Sequence, residues 1–140
     1  MNTLQIDIVS AEGEIHSGEA TLVVAPAQEG EVGIAPRHAP LLTQMRPGEV
    51  RVHDAGGEEL FFYVSGGILE VQPHKVTVLA DAAQRARDIN EAAALEAKRR
   101  AEEALAKREE GVNYSSVQAE LAEAMAQLQA LERVRRQAKR

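Results

Sequence analysis

Apolar positions along the chain follow two different periods. Up to about residue 80 they alternate: Ile6 and Ile8, Val50 and Val52, Leu60, Phe62 and Val64, Val76 and Val78. Beyond residue 113 they recur at three and four: Val117, Leu121, Ala124, Leu128 and Leu131. A period of two is the signature of half-buried strands and a period near 3.6 that of a helix. The change falls between Asp81 and Asn90, so the pattern predicts an all-β front, a short hinge and an all-α back. Asp88 stands three residues before Glu91, the spacing of a capping box, and is expected to open the first helix.

Within the front, the expected strands cover residues 4–9, 15–17, 20–25, 41–45, 49–53, 59–64, 68–71 and 75–80. Pro26 is expected to end the third of them. Two glycines and two prolines in the 29–42 segment forbid a helix and allow only short extended pieces and tight turns. Asp54-Ala55-Gly56-Gly57 reads as a hairpin loop and Ser65-Gly66-Gly67 as a bend. Counting the extended pieces gives about ten short strands, which suits a β-sandwich or flattened barrel.

In the back, the first helix is expected over about 89–107 and the second over about 114–139. The inner face of the first is Ala94, Ala97, Ala101 and Ala104, with Leu105 at its end; such small residues let a partner helix come close. Glu96–Arg100 and Glu103–Lys107 are spaced for i,i+4 pairs, each contributing about 0.2–0.5 kcal/mol. Gly111 stops the first helix and Asn113 caps the second, so the two lie antiparallel. The modules are therefore 1–84, a β-sandwich, and 85–140, a helical hairpin. A hairpin of roughly 50 residues has one seam to bury and is expected to lean on something else.

Composition narrows the function. The formal charge of −6 over 140 residues hides an asymmetry. Residues 1–84 hold 12 acids against four bases, whereas 85–140 hold 12 bases against 10 acids. An acidic front argues against nucleic acid as a partner. Five of the last eight residues are basic: Arg133, Arg135, Arg136, Lys139 and Arg140. They match a helix C-terminal dipole or a docking surface for an acidic partner. No cysteine is present, which removes disulfides and thiolate metal sites. No leader-like apolar segment follows Met1 and no run reaches membrane-spanning length, so the chain is expected to be soluble and cytosolic.

Catalytic chemistry finds little support. His16, His38, His53 and His74 are scattered and read as solvated turn or strand histidines, with no metal expected. Ser65-Gly66-Gly67 is followed by a strand, whereas a phosphate loop needs a helix N-terminus. Glu29 and Glu31 flank Gly30 in an exposed turn, where interface contacts suit them better than acid–base work. The residues alone thus describe a binding or regulatory module with no catalytic residue and no cofactor.

The middle of the chain carries a resemblance. Glu29-Gly30-Glu31-Val32-Gly33-Ile34, Pro36, His38-Ala39-Pro40-Leu41-Leu42, Ser65-Gly66-Gly67-Ile68-Leu69-Glu70-Val71 and Val76-Thr77-Val78-Leu79-Ala80-Asp81 resemble the epsilon subunit of the bacterial rotary F-type ATP synthase. So do Glu96-Ala97-Lys98-Arg99 and Glu120-Leu121-Ala122. The resemblance covers essentially the whole chain and implies a ten-stranded sandwich with a C-terminal helical hairpin. It implies a non-catalytic central-stalk rotor subunit that couples the turning of the c-ring to ATP synthesis through gamma, peripheral to the cytoplasmic face of the inner membrane. Glu29, Glu31 and His38 would then face the ring and the foot of gamma. The hairpin would inhibit ATP hydrolysis, reaching the alpha and beta subunits through Arg133, Arg135 and Arg136. Some members of that family bind ATP through an Ile/Leu-Asp-x-x-Arg-Ala stretch. Here it reads Ile89-Asn90-Glu91-Ala92-Ala93-Ala94, without the acid and without the arginine, so ATP binding is not expected. The alternative, from another class, is a free-standing nucleotide-sensing or adaptor module.

Overall fold

The computed structural model describes residues 2–107, 111 and 113–138. Nine strands come first among them: β1 (Leu4–Ser10), β2 (Gly13–Ala27), β3 (Gly30–Ile34), β4 (Leu41–Met45), β5 (Gly48–Asp54), β6 (Glu59–Val64), β7 (Gly67–Val71), β8 (Lys75–Ala80) and β9 (Ala83–Arg85). A single 3-10 turn, Ala86–Asp88, leads to helices α1 (Glu91–Lys107) and α2 (Tyr114–Ala138). The β-sandwich followed by a helical hairpin is as expected, with nine strands in place of about ten.

β2 organises the sandwich. Its first half pairs antiparallel with β1, its second half with β5 and β3, and its last residue, Ala27, with Met45 of β4. The ladder then runs β1-β8-β7-β4 on one side of β2 and β5-β6-β9 on the other, with β1 and β8 parallel. The alternating residues supply the core between the layers. Ile6, Ile8, Val23, Val50, Val52, Val64, Leu69, Val71, Val76 and Val78 are all fully buried.

Three expectations about boundaries are corrected. The stretches 15–17 and 20–25 are one strand of 15 residues, and Pro26 does not end it. Proline gives up only its N–H; its carbonyl accepts from the Arg46 N–H at 2.8 Å, so the strand carries on to Ala27. The hinge between Asp81 and Asn90 is partly structured, because β9 pairs with β6 through Phe62↔Arg85, Tyr63↔Gln84 and Val64↔Ala83. Asp88 does not open α1. Ile89 is extended and buried, which delays the helix, and the Asn90 Oδ1 accepts from the Ala93 N–H at 3.1 Å as the cap. Asn113 caps α2 as expected, its Oδ1 accepting from the Ser116 N–H at 3.1 Å.

One ion pair also differs. Glu103–Lys107 forms at 2.8 Å, but Glu96 is taken by Arg99, one turn away at i+3, at 2.7 Å. Arg99 lies between two acids and bridges Glu96 and Glu103 together. The loop expectation covering residues 108–110 and 112, and the basic residues Lys139 and Arg140, lie outside the described residues.

The bend at Ser65-Gly66-Gly67 is structural. The Ser65 hydroxyl accepts from the Ala82 N–H at 2.8 Å and the Gly66 carbonyl accepts from the Asp81 N–H at 3.0 Å, fastening β7 to the end of β8. Gly67 has φ +133°, and a Cβ there would sit 2.1 Å from the Leu79 carbonyl oxygen. Gly67→Ala is therefore expected to cost about 3 kcal/mol through backbone strain, read by denaturant unfolding. A loss under about 0.5 kcal/mol would show that β7 and β8 part easily.

Candidate functional site

Three surfaces stand out, two of which carry residues singled out by the sequence. The first is the β2–β3 tip. Gln28 and Glu29 form the turn, Glu29 is exposed, and Glu31 points outward with its Oε2 3.4 Å from Arg51 Nη2 of β5. Glu29, Glu31, Val32, Leu41 and Thr43 line a shallow groove of about 300 Å³. His38 is not part of it. It follows the far end of β3, in a loop whose Arg37 N–H donates to the Pro73 carbonyl at 2.8 Å, and its Nδ1 lies 2.7 Å from the Ala39 carbonyl. The structure thus brings Glu29 and Glu31 together at one groove and leaves His38 outside it, in the loop after β3.

The second surface was not singled out by the sequence reading. Leu42 of β4, Ile68 of β7 and Leu79 of β8 are exposed by 71%, 44% and 47%. Ile68 is the ladder partner of both Gln44 and Leu79, and Leu42 that of Glu70, so the three share the outer face of one layer. The available signal was alternation itself. With Leu69, Val71, Val76 and Val78 inward, aliphatic residues at the intervening positions face outward.

The third surface is internal to the chain, where α2 lies on β5 and β6. Tyr63, Ala86, Ile89, Ala130 and Leu131 form a small core separate from that of the sandwich, with Phe61, Ala126 and Val134 packed around it. α1 touches α2 through alanine, with Ala94, Ala101 and Ala124 buried as expected. Arg133 reaches Glu49 of β5 at 3.3 Å. Arg135 makes a bidentate bridge to Glu91, tying the end of α2 to the start of α1, and Arg136 pairs with Glu132 on its own helix at 2.7 Å. All three bases are therefore engaged inside the chain in this conformation.

Glu49 is the unusual group of this seam. Its side chain is only 11% exposed, and neither carboxylate oxygen makes a hydrogen bond among the described residues. Burial pushes its pKa up to about 7, against the pull of Arg133 and Arg51. The Tyr63 hydroxyl, on the strand position opposite, is also buried, and burial, with Glu123 of α2 beside it, raises its pKa above the ordinary phenol range.

The histidines need one correction. His16 is not solvated: its ring packs 5.1 Å from Phe62 and is half-buried, and burial holds its pKa below the ordinary value. His53 lies 3.7 Å from Glu59. Among the described residues no cluster of three or more His, Cys, Asp or Glu side chains is arranged to hold a metal ion. No helix among them is long and apolar enough to cross a membrane.

Comparison with known proteins decides the family. The model of the ATP synthase delta/epsilon chain β-sandwich domain matches residues 3–86, and that of the delta/epsilon long α-helix domain matches residues 87–132. The chain belongs to the epsilon-chain family of the F-type ATP synthase. It is 76% identical over 140 residues to the ATP synthase epsilon chain of Alkalilimnicola ehrlichii, covering all of both chains. It is 70% identical over 141 residues to that of Halorhodospira halophila, again over both full lengths. Its fold matches a chain of the Euglena gracilis mitochondrial ATP synthase with a TM-score of 0.83 at 20% identity, covering 94% of this chain and 82% of that one. A chain of the Tetrahymena thermophila mitochondrial central stalk and c-ring assembly matches with a TM-score of 0.61 at 10% identity, covering 91% and 96%.

Within this epsilon-family fold, Asn90 and Ala93 sit at the first turn of α1, where the Asn90 side chain is committed to the cap. Ala93 presents no donor, and Arg135 beside them is held by Glu91. Titration calorimetry of the isolated chain with ATP is expected to show no saturable heat at micromolar concentration. Micromolar affinity would mean that Arg133 or Arg136 leaves its present partner to take the phosphates.

Proposed function

We propose that the chain is a non-catalytic rotor subunit of the central stalk, which couples c-ring rotation to ATP synthesis through gamma and whose hairpin restrains ATP hydrolysis. The family membership supports the first part. The observation that carries the second is the seam beneath α2. Among the described residues Ile89 and Leu131 are the buried large aliphatic side chains there, each contributing about 1.5–3 kcal/mol by full burial, and the seam also covers the Glu49 carboxylate, neither oxygen of which makes a hydrogen bond. An unsatisfied buried polar atom costs about 1–3 kcal/mol, so docking is a small difference between opposed terms. A two-state arm needs such a balance.

The modules divide the work at the proposed boundary, 1–84 and 85–140. The buried core of the sandwich draws only on residues up to Ala80, with Ala83 against it, so this module is the one to hold the rotor. Its exposed Leu42, Ile68 and Leu79 give gamma an apolar face, and Glu29 and Glu31 give the ring loops an acidic tip. His38, beyond β3, then belongs to the gamma side. Released from Glu49 and Glu91, Arg133 and Arg135, with Arg136, supply charge to acidic segments of alpha and beta. The subunit is thus peripheral to the cytoplasmic face of the bacterial inner membrane and binds no nucleic acid or cofactor. A free-standing adaptor would gain nothing from three aliphatic side chains left in water.

Two experiments test this. A cysteine replacing Glu31 in the assembled enzyme is expected to cross-link to a cysteine in the polar loop of the ring subunit. Success only from the β4–β7–β8 face would reverse the module on the rotor. Deleting the chain after about Arg87 is expected to raise ATP hydrolysis several-fold while ATP-driven proton pumping persists. Neutralising Arg133, Arg135 and Arg136 together is expected to do part of the same. Unchanged hydrolysis across salt and nucleotide conditions would reduce the hairpin to a structural clip.

A further inference from the structure

The seam between α2 and the sandwich holds a titratable group that the reading as a rotor subunit does not use. Glu49 lies on β5 between Gly48 and Val50, at a position that alternation turns away from the sandwich core. Without the hairpin this face of β5 is open to water. With α2 in place the carboxylate is nearly covered, and among the described residues of the arm its counter-ion is Arg133 at 3.3 Å. The contact is an ion pair without hydrogen-bond geometry, and both oxygens lack a hydrogen-bond partner among the described residues.

We propose that Glu49 is a proton-sensitive latch for the docked hairpin: taking up a proton holds α2 on β5 and β6, and losing it favours release. A neutral carboxyl under a helix loses little by leaving water, whereas an ionised one with incomplete hydrogen bonding loses much. Undocking returns the group to solvent and to an ordinary carboxylate. The docked state therefore binds the proton more tightly than the released state.

The other charges facing the site are accounted for from each neighbouring element. Burial raises the affinity of Glu49 for its proton most; Arg133 of α2 and Arg51 of β5 lower it; Glu31 of β3 and Glu59 of β6 raise it. Tyr63 of β6 stands opposite on the ladder, with Glu123 of α2 acting on its hydroxyl. The outcome is a docked midpoint of about 7 against the ordinary 4.5. Because the docked value is the higher, docking strengthens as pH falls from about 7 toward 4.5 and weakens as pH rises through 7. Between pH 6 and pH 8 the ratio of released to docked arm is expected to rise about tenfold. Any consequence for hydrolysis rests on the reading of the hairpin as an inhibitory arm; the proton linkage does not, and the two fail separately.

The test uses the full-length isolated chain. Carboxyl-carbon NMR should give Glu49 a midpoint near 7. Amide exchange of α2, corrected for the intrinsic pH dependence of exchange, should report the tenfold change in opening between pH 6 and pH 8. Glu49→Gln, which imitates the protonated carboxyl, should remove that change and leave α2 protected at both pH values. Arg133→Gln should move the Glu49 midpoint higher still, since the ionised form loses its counter-ion; a merely structural Arg133 would weaken docking equally at every pH. If Glu49→Gln fails to fold by circular dichroism, the parent chain and Arg133→Gln decide. A Glu49 midpoint near 4.5, an opening ratio independent of pH, or a full pH response retained in Glu49→Gln overturns the proposal.

Discussion

The sandwich depends on one long strand serving two layers. β2 spends its first half on β1 and its second on β5 and β3, and Ala27 closes the ladder onto β4. Both layers are thereby registered against a single backbone, and the apolar residues of each face meet across it without a separate inter-sheet device. The register shifts at Ile8/Val9 and Ala20/Leu22 mark where the ladder adjusts as β2 changes neighbours. Such irregularities increase local twist and re-aim the strand, which a strand shared between layers requires. Once β2 is placed, the outward positions of β4, β7 and β8 form one surface and those of β5 and β6 another.

Those two outer surfaces differ in their residues and in what lies on them. The β5–β6 face presents Tyr63, Phe61 and Glu49, and α2 covers it with Ala126, Ala130, Leu131 and Val134. The β4–β7–β8 face presents Leu42, Ile68 and Leu79, and nothing among the described residues covers them. A hairpin whose own seam is mostly alanine buries too little to stand alone, so it rests on the sandwich. The sandwich, with its separate core, has no matching need of the hairpin. This asymmetry of dependence is what the proposed release of the hairpin would require.

Much of this was legible in the sequence, and the exceptions have physical reasons. Alternation at Ile6/Ile8, Val50/Val52 and Val76/Val78 identified strands whose buried faces the structure bears out. The shift to spacings of three and four placed both helices, with Asn113 as the cap. The continuity of β2 was not legible, because Gly18 and Pro26 are locally breakers and only the neighbouring strands make them tolerable. Asp88 and Asn90 both suit a helix start; the burial of Ile89 against Tyr63, a contact across the chain, decides for Asn90. His16 was misleading because a histidine among polar neighbours reads as solvated, and no local pattern announces that its position faces Ile8 and that the Phe62 ring will cover it.

The composition of the α2 seam suits the releasable contact proposed for the hairpin. Leucine at Ala126 and Ala130 and an aliphatic residue at position 49 would bury more apolar area and remove the unpaired carboxylate oxygens. By the usual measure of about 25 cal/mol per Å², those changes favour a docked arm by several kcal/mol. Each factor of ten in the released population is lost for every 1.4 kcal/mol so added. Alanine in place of leucine, and a carboxylate in place of an aliphatic, keep the two states near enough for partner contacts to choose between them. Arg133 is what keeps that carboxylate tolerable: it lowers the cost of the ionised form without hydrogen-bonding it fully. A bidentate partner there would hold the docked arm more firmly, so the proposed release of the hairpin draws on the incomplete pairing at Glu49.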